Sequence, residues 1–223
     1  ISAAMPSGIK ISNLQMTFNP KNITISNFNG EYLKTNFTAF GSLDNLLLYL
    51  FQNQALIGNL TLKADQINLN NWMGTDTTAA TTDTSSKPFT VPANINFTLN
   101  ASADEVRYDK LDLTNVSGTV LMKDQTVYLN NIQANALDGT IGLDGTYSTK
   151  ASKTTPDISF NYNVKNLDVQ KTFLALNTVQ KLMPIAQFID GKLSSQVQLT
   201  GTLGDNMSPV LNTLTGNGNL LLI

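Results

Sequence analysis

The chain predicts a mainly β fold: antiparallel meander sheets curled into a trough or a sandwich, built from two related halves and carrying two short amphipathic helical segments. Three observations predict it. Apolar residues recur at period two over most of the length, as in "LTLKA" from Leu60 and "INFTLNA" from Ile95. Charged residues make up only 13% of the 223 residues, so Asn, Thr and Ser must wet the surface, which suits exposed strands better than salt-bridged helices. The third is an internal repeat, developed below.

In order, "ITI" (Ile23 to Ile25) reads as a strand, with "NG" at Asn29 as a turn signal. "SLDNLLLYLFQNQAL" (Ser42 to Leu56) has helical spacing and places a helix near 43–56, after which Leu60 to Ala64 resumes the strand period. The first β-repeat half is assigned to 1–73. "GTDTTAATTDTSSK" (Gly74 to Lys87) has almost nothing large and apolar to bury, so 74–87 is expected to be a flexible Thr/Ser-rich loop. The second half, 88–223, opens with Pro88 and Pro92, which suit a sheet edge. Strands follow at Ile95 to Ala101, Leu111 to Val120 and Ile158 to Val164, and a helical segment near 168–189 that Pro184 bends or ends. "DG" at Asp138 and Asp144, "DNMSP" at Asp205 and "GNG" at Gly216 are read as turns.

"ITISNFNGEYLKTNFTAFG" (Ile23 to Gly41) and "VYLNNIQANALDGTIGLDG" (Val127 to Gly145) share one apolar phase. Gly41 and Gly145 lie 104 positions apart, and that offset pairs Ile25 with Leu129, Leu33 with Leu137, Phe37 with Ile141 and Ala39 with Leu143. In both copies the phase slips, between Ile25 and Phe28 and between Leu129 and Ile132, which demands a bulge or turn. An echo at an offset of about 100 aligns Leu62 with Tyr162, Ile67 with Leu167 and Leu69 with Val169. The glycines are expected at turns or bulges that end equivalent strands. What repeats is architecture, since no polar chemistry repeats with it.

Composition excludes several function classes. Histidine and cysteine are absent, which removes imidazole bases, thiolate nucleophiles, most zinc sites and every disulfide. No catalytic residue, no metal and no cofactor is expected, and the chain is read as not an enzyme. Fourteen basic against sixteen acidic residues, in no like-charge block, argue against nucleic acid. "LLLYLF" and "LLLI" are far shorter than the roughly 20 residues a membrane span needs. Asp138 with Asp144, or Asp104 with Glu105, lack calcium-loop spacing and read as turn chemistry. Asp190, Asp205 and Glu31 form no convincing glycosidase pair beside a single tryptophan, Trp72. "GNGNL" at Gly216 lacks the helix start of a nucleotide loop. The sequons at Asn22, Asn36, Asn59, Asn96, Asn100 and Asn115 are what an Asn- and Thr-rich chain produces by chance. Beginning at Ile1, the chain is read as a piece of a longer protein.

The stretch "ISNLQMTFNPKNITISNFNGEYLKTNFTAFGSLDNLLLYL", then "GNLTLKADQINLNNWM", then "NVSGTVLMKDQTVYLNNIQANALDGTIGLDGTYST" resembles bacterial AsmA-like proteins. "NTVQKLMPIAQFIDGKLSSQVQLTGTLGDNMSPVLNTLTGNGNLLL" is similar to that family's recurring close: helix, Gly-Lys strand, G-x-L hairpin, P-x-L step and G-x-G-x-L strand. The resemblance implies a periplasmic region of an envelope protein anchored to the inner membrane, related to TamB-type and bridge-like lipid-transfer proteins. It also implies a sheet trough with an apolar lining, a role in outer-membrane assembly and phospholipid as a partner, with membrane association through segments outside this sequence.

Independently of the family, alternating strands give a sheet with one apolar face and one amide-and-hydroxyl face. If that face stays partly open it can take an acyl chain; if it is sealed, the chain is a structural or interaction scaffold with a closed core. A carbohydrate-binding sandwich is a third reading. The lipid-groove candidates are Phe37, Ala39, Leu60, Leu62, Phe97, Leu99, Ile141, Leu143, Phe160 and Tyr162, each of which is core if the face is sealed.

Overall fold

A computed structural model describes residues 8–72, 88–175, 180 and 184–223. It contains one 11-stranded sheet in which spatial order follows chain order, so every strand lies beside its sequence neighbours. The strands are β1 (Lys10–Phe18), β2 (Asn22–Tyr32), β3 (Thr35–Asp44), β4 (Leu56–Asn68), β5 (Ile95–Tyr108), β6 (Leu111–Lys123), β7 (Thr126–Ala136), β8 (Gly139–Ser148), β9 (Asp157–Asp168), β10 (Lys192–Thr202) and β11 (Thr215–Leu222). All described residues that form strands belong to this one mainly antiparallel sheet, which makes it an open curled sheet and not two sheets packed as a sandwich. It does not close into a barrel, because β1 and β11 each pair on one side only.

The meander breaks once. β4 and β5 run parallel, from Leu56 opposite Ile95 to Asn68 opposite Arg107. Parallel neighbours require the chain to return to the start of the first strand before beginning the second. Residues 88–94 complete that return, and the Asn94 carbonyl accepts from the Leu56 amide at 3.0 Å. Pro88 and Pro92 therefore sit in this irregular crossing, and strand begins at Ile95. The tract 74–87 lies outside the described residues.

The two halves follow the same path as far as the sequence repeat runs. The β2–β3 ladder slips between Ile25 and Phe28 and the β7–β8 ladder between Leu129 and Ile132, the two places where the apolar phase changes. Both hairpins turn on two residues in the left-handed region, Leu33 (φ 49°) with Lys34 (φ 67°), and Leu137 (φ 51°) with Asp138 (φ 63°). The second echo holds as well. β3 pairs with β4 as β8 pairs with β9, placing Leu62 opposite Ala39 and Tyr162 opposite Leu143.

Several turn readings are corrected. Asn29–Gly30, Asp144–Gly145 and Gly216–Asn219 lie inside β2, β8 and β11, and the β2–β3 hairpin turns instead on Leu33–Lys34, a pair with little turn propensity. Gly41 and Gly145 are likewise mid-strand, each opposite the last pair before a bulge, Ile25 and Leu129. Ladder register, which keeps apolar residues on one face, overrides dipeptide propensity here.

The helices are short. α1 (Leu46–Gln52) is narrower than the predicted 43–56, because Leu43 is held in β3 between Ile23 and Gly58, and Leu56 already belongs to β4. Asn45 and Asn53, both left-handed, bound it. α2 (Leu69–Trp72), which periodicity did not predict, ends β4. Within the expected 168–189 segment, α3 (Val169–Ala175) is followed by a 3-10 helix at Pro184–Phe188, so Pro184 opens a second short helix. Residues 176–179 and 181–183 lie outside the described residues.

Candidate functional site

Directly paired residues on neighbouring strands project to the same face of a sheet. One row crosses all eleven strands: Met16, Ile25, Gly41, Leu60, Leu99, Val120, Leu129, Gly145, Phe160, Leu199 and Gly216. Each is apolar or glycine. A parallel row runs from Phe18 through Ile23, Leu43, Gly58, Phe97, Met122, Val127 and Tyr147 to Ile158. The opposite face carries polar residues, mostly Asn, Gln, Thr and Ser, with Asp144, Asn161, Gln198 and Asn217 in one line. The glycines on the apolar face make room for large neighbours. At Gly145 a Cβ would stand 2.8 Å from Phe160 Cε1 and 3.0 Å from the Ser159 carbonyl.

Every predicted lining residue lies on this face, since Phe37, Ala39, Leu60 and Leu62 pair in line with Ala64, Leu62, Leu99 and Ala101, and across β8–β9 Ile141 pairs with Val164, Leu143 with Tyr162 and Gly145 with Phe160. Coverage differs between the halves. Over β8–β10, α3 and the 3-10 helix seal one end. Val164, Leu167, Val169, Ala186 and Leu193 are buried there, with Ile141, Tyr162 and Phe173 packed against them. Burial raises the pKa of the Tyr162 hydroxyl above the ordinary tyrosine value, as expected of a phenol facing an apolar core.

The other end of this half is closed by the crossing segment. Val91 is 1% exposed, and its amide donates to Thr149 Oγ1 at 3.1 Å. The Tyr147 hydroxyl donates to the Phe89 carbonyl at 2.8 Å.

Among the described residues nothing comparable covers the face over the first half. α1 buries none of its residues, and Leu50 and Phe51 are 60% and 81% exposed. A groove of about 250 Å³ remains between β2, β3 and β4, lined by Phe28, Phe37, Ala39, Leu60, Leu62 and Ile67 among others, with no polar atom in its exposed wall. Phe28 and Phe37 meet edge to face, ring centroids 5.2 Å apart, which fixes one wall. Ala64, one of the lining residues, also belongs to a small core with Ala103 and Val106.

Of the predicted lining residues, Phe37, Ala39, Leu60 and Leu62 therefore meet at one groove. Phe97 and Leu99 stand on the same face one strand away, Phe97 lying over Gly58. Ile141, Leu143, Phe160 and Tyr162 belong to the half that is closed at both ends. Sequence reasoning missed Ile9, Phe28, Tyr32, Thr35, Ala64 and Ile67 as lining. Phe28, Ala64 and Ile67 were already visible, as the residue after the phase slip, as the last apolar position of the Leu60–Ala64 run and in the second echo.

Polar chemistry is sparse. The closest ion pair, Lys171 Nζ to Asp138 Oδ2 at 2.6 Å, ties α3 to the β7–β8 turn and holds the Asp138 carboxyl below the usual aspartate range. Among the described residues no group of three or more acidic side chains is placed to hold a metal ion, and no helix is long and apolar enough to cross a membrane. No protein-family model matches this chain, nor does a curated protein or a solved structure.

Proposed function

We propose that this chain is a segment of an AsmA-like envelope protein, acting in outer-membrane assembly in the periplasm, and that its apolar groove contributes to phospholipid movement. The observation that carries the reading is the groove over β2–β4 that the described residues leave open, whose exposed wall is wholly apolar. Each methylene of an acyl chain taken from water into such a wall gains about 0.8 kcal/mol, so a few suffice for a usable affinity. The lipid headgroup stays in solvent at the rim. The protein's part is passive: it lines a path and performs no bond chemistry. Phospholipid is the proposed partner, with membrane attachment supplied by segments outside this sequence.

A closed-core scaffold is the second reading, and the core buried beneath α3 at one end of β8–β10 favours it there. Photocrosslinking separates the two. The protein is irradiated with a phospholipid carrying a photoreactive group on its acyl chain, and crosslinked residues are mapped by mass spectrometry. Lipid movement requires adducts concentrated on Phe37, Leu60 and Leu62. Adducts scattered over the surface, or none above a soluble photoreactive control, retire the groove and leave the scaffold.

A further inference from the structure

The groove over β2–β4 has a built end. Its lining follows three cross-strand rows: Phe37 with Ala64, then Phe28 with Ala39 and Leu62, and last Leu60, which stands opposite Gly41. Ala39 and Ala64 are buried and carry nothing beyond Cβ, which gives the groove its depth. The next row along the same face, Leu43 with Gly58 and Phe97, lines none of it.

Two glycines explain why the groove stops there. A Cβ at Gly41 would stand 2.9 Å from Leu60 Cδ2, so Leu60 lies back across β3 over that glycine. A Cβ at Gly58 would stand 2.8 Å from Phe97 Cε2 and 2.9 Å from Leu43 Cδ2, so the Phe97 ring and Leu43 meet over β4 one row further on. Each glycine is a seat taken by a large side chain of the following strand, and the space in which the groove would continue is filled. All of these residues belong to β3, β4 and β5, in the interior of the sheet.

Polarity fixes what can meet such an end. It is made of Leu60, Leu43 and Phe97, and a charged headgroup pressed against them would give up its water for no partner. The methyl end of an acyl chain has no such cost. We infer that Leu60, backed by Phe97, is a chain-length stop: the acyl tail lies with its terminal methyl against Leu60 and its headgroup toward the Tyr32–Thr35 end of the groove, and carbons in excess of the groove's length stay in water. This inference rests on the reading of the groove as a lipid site and adds to it a direction and a length limit. The two residues act in order. Leu60 comes first, and Phe97 stands one row behind it, about 7 Å along the strands. Truncating Phe97 alone leaves a chain halted at Leu60, whereas truncating Leu60 opens the seat at Gly41, and truncating both opens the seat at Gly58 as well.

The test measures the affinity of lysophospholipids whose saturated chains lengthen by one methylene at a time, kept below their micelle-forming concentrations and read by displacement of a fluorescent fatty-acyl probe. For the parent protein, affinity should rise about fourfold per methylene while the chain still enters the groove, and then level off. Leu60→Ala should move the levelling point to chains longer by at least about two methylenes, since a row is about 7 Å deep. Phe97→Ala alone should not move it, and the double variant should move it further than Leu60→Ala does. Leu60→Val keeps a strand-favouring side chain and should shift the point in the same direction by less, which covers the case in which Leu60→Ala does not fold. Ile132→Ala, which uncovers Gly118 in the same manner on β6–β7, should leave the point where it is. A parent whose affinity climbs without levelling, or folded Leu60 variants that level off at the parent's chain length or shift no further than Ile132→Ala, overturns the stop and leaves the groove as a lipid site. Affinity that is absent, or indifferent to chain length from the shortest chain onward, overturns the lipid reading of the groove and the stop with it.

Discussion

An acidic residue placed in the groove and the same residue placed in the covered core should behave very differently. Leu167 is 1% exposed, in the cluster beneath α3, whereas Leu62 is half-buried in the groove wall. Leu167→Asp loses the packing of a core leucine, about 2–5 kcal/mol, and adds a buried carboxylate with no cation in the cluster, which costs several kcal/mol more or stays protonated. The sum is comparable with the whole stability of a domain, about 5–15 kcal/mol. Leu62→Asp gives up roughly half of a leucine's burial, about 1–2 kcal/mol, and its carboxylate keeps its water. Urea denaturation followed by circular dichroism at pH 7 and pH 5 measures both. A buried carboxyl has a raised folded-state pKa, so the loss from Leu167→Asp is largest above that pKa and shrinks as pH falls toward the unfolded-state value. Leu62→Asp should show little such dependence. If Leu62→Asp is as destabilising as Leu167→Asp and recovers on acidification in the same way, the groove is sealed and the proposed function loses its basis.

Gly145→Ala should destabilise by about 1–3 kcal/mol through its clash with Phe160, and Phe160→Leu should relieve much of that in a double-mutant cycle; strict additivity would show that the ring is not what the glycine accommodates. Gly41→Ala should resist the same rescue by Leu60→Ala, because its φ is +145° and an added Cβ would also stand 2.9 Å from the Leu60 Cα, so recovered stability would contradict the backbone origin of the strain. Tyr147→Phe removes the bond to the Phe89 carbonyl and should cost about 1 kcal/mol, or a fall of about 2–4 °C in melting temperature, with no change if that closure contributes nothing. Asp138 has a depressed carboxyl pKa, owing first to its hydrogen bond from Lys171, so its contribution is present above the ordinary aspartate pKa and lost as pH falls through the folded-state value. Asp138→Asn should therefore lower stability slightly at pH 7 and converge with the parent near pH 2, and a difference that persists in acid would assign the effect to turn geometry instead.

Local chemistry made much of this fold legible in the sequence. Alternation at period two identified parts of β2, β4, β5, β6 and β9 and their apolar face, because a strand's side chains must alternate whatever its neighbours do. The repeat located both bulges, at Ile25/Phe28 and Leu129/Ile132, since a phase slip within one strand has to be absorbed in its ladder. The lining residues Phe37, Ala39, Leu60 and Leu62 were legible for the same reason.

Tertiary structure decided the rest. The parallel β4–β5 pair rests on where residues 88–94 bring the chain back, a long-range fact that no local pattern encodes. The turns at Leu33–Lys34 and the strand placement of Asn29–Gly30 and Gly216–Asn219 follow from register across the whole sheet, which outweighs the preferences of single dipeptides. Whether an apolar face is core or groove depends on what lies over it. The repeat gave both halves the same face, but α3 and the 3-10 helix close one end of it over β8–β10 and the crossing segment the other, while α1 buries none of its residues beside the groove over β2–β4. Hydrophobic burial is proportional to area and indifferent to direction, so a sequence can fix which side chains avoid water without fixing which element shields them.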